Sequence, residues 1–179
     1  MERYALTAIG PDRPGLVAAV TKALYRHKCA IGDSSMMLLD NEFTINLIMT
    51  LPKRREPAGI LKDIKRLEQS ENIAVNFTKL PPESGAKSPL SDFTVTMHGV
   101  QRPGVIHRAA DLLRRLGVNI TNLESKSIPG KKKVLYIVLI EAATPEGVPL
   151  KKIEGRLKTL ARGLKMKITV RPIEAYTPI

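Results

Sequence analysis

The sequence predicts an α+β protein made of two tandem β-α-β-β-α-β domains, each an antiparallel sheet with both helices on one face. Three observations predict it. A segment recurs without a gap at an offset of 89 residues. Hydrophobic periodicity alternates between strand and helix spacing. A stretch rich in Pro, Gly and Ser separates the two copies.

The repeat comes first. Tyr4–Val17 aligns with Phe93–Ile106, and the match holds through Cys29-Ala30-Ile31 on Val118-Asn119-Ile120. Gly10, Arg13, Pro14 and Gly15 recur as Gly99, Arg102, Pro103 and Gly104. Four residues with separate steric roles at matched places make chance a poor explanation.

Each copy then reads in the same order. Tyr4, Leu6 and Ala8 alternate along a half-buried strand. Pro14 suits a first helical turn, so the helix is expected to start there, with Leu16, Val17, Val20 and Leu24 on its apolar side. In the second copy Val105, Ile106, Ala109, Leu112, Leu113 and Leu116 play that part, and Gly117 suits the helix end. A hairpin follows, Ile31–Leu39 turning at Asp40-Asn41 into Phe43–Leu51, and Ile120–Ile128 turning through Pro129-Gly130-Lys131-Lys132 into Lys133–Glu141. Pro57 opens a helix carrying Ile60, Leu61, Ile64 and Leu67. Pro149 opens one carrying Leu150, Ile153, Leu157, Leu160 and Leu164. The last strands are Ile73–Lys79 and Lys165–Ile173. Domains are expected at residues 1–80 and 92–179, with a linker at 81–91. Two right-handed crossovers give the ferredoxin-like strand order 4-1-3-2, which leaves the second strand at an edge in need of a partner.

Composition narrows the class. The 179 residues are 43% hydrophobic but only 4% aromatic, so Ile, Leu, Val, Met and Ala must pack the cores. No signal peptide is read at the N-terminus, and the longest apolar run, Val134–Ile140, is too short for a membrane helix. The single cysteine, Cys29, allows no internal disulfide and suits a reducing compartment. A soluble cytoplasmic protein with no membrane association is expected. The formal charge of +12 is uneven, with a basic surplus of 3 in residues 1–80 against 9 in residues 91–179. That surplus reads as a solvated basic surface or as a polyanion-binding patch.

The recurring loop carries the candidate chemistry. It ends at a helix start, where free N–H groups and the positive end of the helix dipole receive a carboxylate. Gly15 and Gly104 allow close approach of a ligand. Arg13 or Arg102 adds a charge-assisted contact, and Asp12 accepts from an ammonium. These features suit a small zwitterion. The alternative is a tight strand-to-helix turn with no ligand.

Asp12-Arg13-Pro14-Gly15-Leu16-Val17 after a short strand, Val118-Asn119-Ile120 at the second strand, and the doubled element order resemble the ACT domain over all of the chain but the linker. The tandem looks most like the glycine cleavage system transcriptional repressor group. Its first half is also similar to the N-terminal domain of formyltetrahydrofolate deformylases, whose catalytic domain has no counterpart here. The resemblance implies a non-enzymatic regulator without a cofactor, binding a small amino acid at a seam between two domains. It also implies a homodimer or higher oligomer and action on amino-acid or one-carbon metabolism, or on its transcription, through a regulatory protein partner. Carried over by position, the ligand-binding residues are Asp12, Arg13, Gly15 and Leu16 with Arg102, Gly104 and Val105. The second-strand positions are Ala30, Ile31 and Asp33, with Asn119, Ile120 and Asn122. Gln101 stands where the family has an acidic residue, and Ala30 where the second copy has Asn119, so the two seams are expected to be unequal.

Other chemistries are weaker. His27-Lys28-Cys29 reads as a surface histidine and a core cysteine with no carboxylate fixed beside them, and His98 and His107 build no triad or metal cluster. No Walker loop and no Gly-x-Gly-x-x-Gly occurs. The alternative function is a nucleic-acid or polyanion binding module. RNA-recognition motifs share the topology, but Phe43 and Tyr136 lack that signature and read as core. No helix-turn-helix is visible, so sequence-specific DNA binding is not expected.

Overall fold

In the computed structural model, residues 2–52, 57–82, 89–130 and 134–173 are described. Residues 83–88 of the expected linker and 131–133 of the second hairpin lie outside them. The chain divides into two compact units, Met1–Ala86 and Lys87–Ile179.

The first unit runs β1 (Glu2–Pro11), α1 (Leu16–Arg26), β2 (Ala30–Leu39), β3 (Glu42–Leu51), α2 (Pro57–Glu71) and β4 (Ala74–Lys79). The second runs β5 (Phe93–Val100), α3 (Val105–Arg115), β6 (Asn119–Ile128), β7 (Leu135–Ala143), α4 (Leu150–Leu164) and β8 (Met166–Pro172). The sheets are ordered β2-β3-β1-β4 and β6-β7-β5-β8, with antiparallel neighbours throughout. This is the expected ferredoxin-like order, twice.

Alternation decides which sheet face meets the helices. Tyr4, Leu6 and Ala8 on β1 and Phe43, Ile45, Leu47 and Met49 on β3 are buried with Leu16, Val20 and Leu24 of α1. Phe93, Val95 and Met97 are buried with Tyr136, Val138 and Ile140 of β7 and with Ile153, Leu157 and Leu164 of α4. Tyr4 also stacks on Phe77, ring centroids 4.7 Å apart.

Three expectations are corrected. α1 begins at Leu16, not at Pro14, because Gly15 takes a left-handed φ of 98° that no helical residue adopts. Val17 and Leu61 are each 41% exposed, their faces turning away from the sheet while Ala23 fills the first core. His27 is no free surface residue: its Nε2 lies 3.0 Å from Asp63 Oδ2 and joins the end of α1 to α2.

Candidate functional site

The two recurring loops share one backbone design. Gly15 and Gly104 are the N-caps of α1 and α3, at φ 98° and 84°, and neither helix start has a side-chain cap. The first helical bonds run from Ala19 N–H to Gly15 O and from Arg108 N–H to Gly104 O, so the earlier first-turn amides point out of the helix end. A Cβ placed on either glycine meets nothing within 4 Å. Glycine is there for its φ, and the space beside it is open. Each loop is tied to its hairpin in the same way, Asp12 N–H donating to Asn41 O and Gln101 N–H to Val134 O.

Beneath the loops, Gly10 and Gly99 let the chain pass close to the turn that leads into the last strand of each unit. A Cβ on Gly10 would lie 2.8 Å from Ile73 Cγ2, and one on Gly99 3.1 Å from Met166 Cγ. Just before those contacts stand Asn72 and Lys165, both left-handed, and before them Glu71 and Leu164, the last residues of α2 and α4. Position for position, Leu164 therefore replaces Glu71. The consequence falls on the loop arginines. Arg13 donates to the Glu71 carboxylate and, at 3.3 Å, to its backbone oxygen. Arg102 has no carboxylate partner among the described residues. Instead it lines an open pocket of about 480 Å³ with Val100, Gln101, Pro103, Val134 and Tyr136.

The second-strand positions lie at the other end of each sheet. Ala30 pairs with Thr50, which pairs with Arg3, whereas Gly10 pairs with Phe43. The two rows are about seven residues apart, or roughly 24 Å at about 3.4 Å per residue. Within one unit, Ala30, Ile31 and Asp33 are thus not brought to Asp12, Arg13 and Gly15, and the same separation holds Asn119, Ile120 and Asn122 away from Arg102 and Gly104. Leu16 and Val105 are each 1% exposed and belong to the cores. Both second strands are bulged at the matching place, between Ile31 and Ser34 and between Ile120 and Asn122, one extra residue in each. Gly32 was the local signal for the first bulge. The second has no such signal.

Sequence reasoning missed Glu71, Val134 and Tyr136 as neighbours of the loops. It also missed Asp63, whose carboxyl is held below its ordinary range first by the hydrogen bond from His27. Partial burial pushes the Cys29 thiol up, and the residue packs against the edge of the first core. Among the described residues no helix is long and apolar enough to cross a membrane.

A family model described as ACT domain matches residues 3–78. The chain is 25% identical over 171 residues to the glycine cleavage system transcriptional repressor of Escherichia coli (strain K12), covering 94% of this chain and 88% of that protein. It is 31% identical over 83 residues to a UPF0237 protein of Methanocaldococcus jannaschii, covering 41% of this chain and 92% of the relative. Two solved structures share the fold at low identity. One is described as an unknown protein from Galdieria sulphuraria, with TM-score 0.78, 16% identity, and 96% and 98% of the two chains covered. The other is a candidate glycine cleavage system transcriptional repressor, with TM-score 0.69, 18% identity, and 97% and 98% covered.

Proposed function

The chain belongs to the ACT-domain family, and on that premise we propose that it is a non-enzymatic regulatory protein that binds a small amino acid. Its output is control of amino-acid or one-carbon metabolism, or of its transcription, through a partner protein; the similarity to glycine cleavage repressors supports that choice. The observation that carries the reading is the doubled, uncapped helix start at Gly15 and Gly104, left-handed and open to an approaching carboxylate. The bulged second-strand starts are too far from the loops of their own unit to complete a site there. In this reading an adjacent ACT domain supplies them, along a seam formed by edge strands β2 or β6. The protein acts in the cytoplasm as a dimer or higher oligomer.

A thermal-shift screen of the twenty amino acids tests this. A ligand at about a hundred times its Kd adds about 2.7 kcal/mol to stability, which a melting curve resolves. Calorimetry without heat for any amino acid at millimolar concentration would leave both helix starts as plain turns.

A second reading has its own observation. Lys151, Lys152, Arg156, Lys158 and Arg162 are exposed on α4, and only Glu154 offsets them, through Lys158 at 2.6 Å. Such a face suits non-specific attraction to phosphates or to an acidic partner surface. Gel-shift titration with unrelated duplexes at two salt concentrations should show binding that falls steeply with salt and ignores sequence. Salt-resistant preference for one duplex would favour a direct regulator instead.

A further inference from the structure

We infer that the pocket at Val100–Pro103 in the second unit takes a small 2-oxo or 2-hydroxy carboxylate in preference to an amino acid, an assignment that rests on reading this loop as a carboxylate site. The lining decides the class. Among the described residues it holds one cation, Arg102, one amide, Gln101, one phenol, Tyr136, and the apolar Val100, Pro103 and Val134. Among the described residues, no carboxylate lines it.

Each group has a part. Among the described residues Arg102 makes no ion pair, and Leu164 stands where Glu71 holds Arg13 in the first unit. A planar guanidinium without a partner matches a carboxylate in a bidentate pair. The Tyr136 side chain is packed in the core cluster, yet its hydroxyl has no hydrogen-bond partner among the described protein groups. A phenol donates to a ligand's 2-oxo oxygen, or accepts from and donates to a 2-hydroxyl. Val100 and Val134 are 37% and 38% exposed, apolar surface that a short aliphatic body would cover.

An α-ammonium is disfavoured for a matching reason. It would enter beside the Arg102 charge with no carboxylate to receive it, and an unpaired charge is costly to desolvate. The first unit has the opposite set. Asp12 stands where the second unit has Gln101, Phe43 pairs with Gly10 as Tyr136 pairs with Gly99, and Arg13 is already engaged. One unit retains a negative charge to pair with an ammonium. The other has exchanged it for an amide and gained a hydroxyl.

The test is calorimetry on the full chain with pyruvate, 2-oxobutyrate and 2-oxoisovalerate, with alanine, 2-aminobutyrate and valine, and with isovalerate as a carboxylate lacking the 2-oxygen. At least one 2-oxo acid should bind at least tenfold more tightly than its amino-acid counterpart. Arg102→Leu should abolish that binding and Arg102→Lys should keep part of it, so a misfolded leucine variant does not decide the matter. Tyr136→Phe, which keeps the packed ring, should reduce 2-oxoisovalerate to the affinity of isovalerate. Gln101→Asp should move the preference at least tenfold toward the amino acid. Amino acids binding as tightly as the 2-oxo acids, in a manner lost with Arg102→Leu, would overturn the inference while the carboxylate reading of the loop stands. A 2-oxo-acid affinity indifferent to Arg102→Leu would also overturn it. No heat with any of these ligands would overturn both.

Discussion

Arg13 is held by Glu71, the last residue of α2, through both the carboxylate and the backbone oxygen. That pairing is one of the differences between the two copies of the loop, beside Asp12 against Gln101. It occupies the guanidinium that in the second copy has no ion pair among the described residues, because Leu164 has no side-chain carboxylate to offer Arg102.

The pair is expected to position rather than to stabilise. Its side chains are 48% and 23% exposed, so solvent screens much of the attraction. Arg13→Ala should change the unfolding free energy by less than about 1 kcal/mol in urea titration. A loss several times larger would make the pair a structural clamp.

Asp63 should carry an acid dependence set first by its hydrogen bond with His27. The Asp63 carboxyl is lowered in the folded chain, so its contribution to stability is present above its ordinary value of 3.8 and is lost as pH falls through the folded value. In His27→Ala the carboxyl midpoint, followed by carbon NMR, should rise toward 3.8. The stability gap between wild type and variant should shrink below that pH. An unmoved midpoint would show that other neighbours hold the carboxylate.

The first-unit edge strand should govern self-association. On β2, Met36, Leu38 and Leu39 are each more than half exposed on a strand with one neighbour in its sheet. Apolar side chains on an unpaired edge favour pairing with another strand. Met36→Lys with Leu38→Lys should weaken self-association at least tenfold, read by light scattering across a dilution series. An unchanged mass at every concentration would place the contact elsewhere.

Two glycines with the same open space should give opposite results. A Cβ meets nothing within 4 Å at Gly104 or at Gly155, but Gly104 has φ 84° while Gly155 lies inside α4. Gly104→Ala should destabilise by about 1–2 kcal/mol through left-handed strain. Gly155→Ala should stabilise by about 0.8 kcal/mol through helix propensity. Equal signs in denaturant titration would contradict the backbone account. For the same reason a valine at Gly15 or Gly104 cannot test ligand binding cleanly, since it strains the fold as well as filling space.

Local chemistry determined the elements. Tyr4, Leu6 and Ala8 alternate because a strand has a period of two, and Gly15 and Gly104 mark left-handed turns that other residues resist. The ungapped repeat then made the order of the elements legible, and with it the topology. What the tertiary structure alone decided is which distant residues meet. Arg13 and Glu71 are 58 positions apart, and His27 and Asp63 are 36. Tyr136 reaches the Arg102 pocket only through the register of β7 on β5. Periodicity reports which face of an element is buried, within a window of a few residues. It carries no record of where one helix ends against another strand, and that end point is what brings Glu71 to Arg13 and puts Leu164 at the matching place in the second unit.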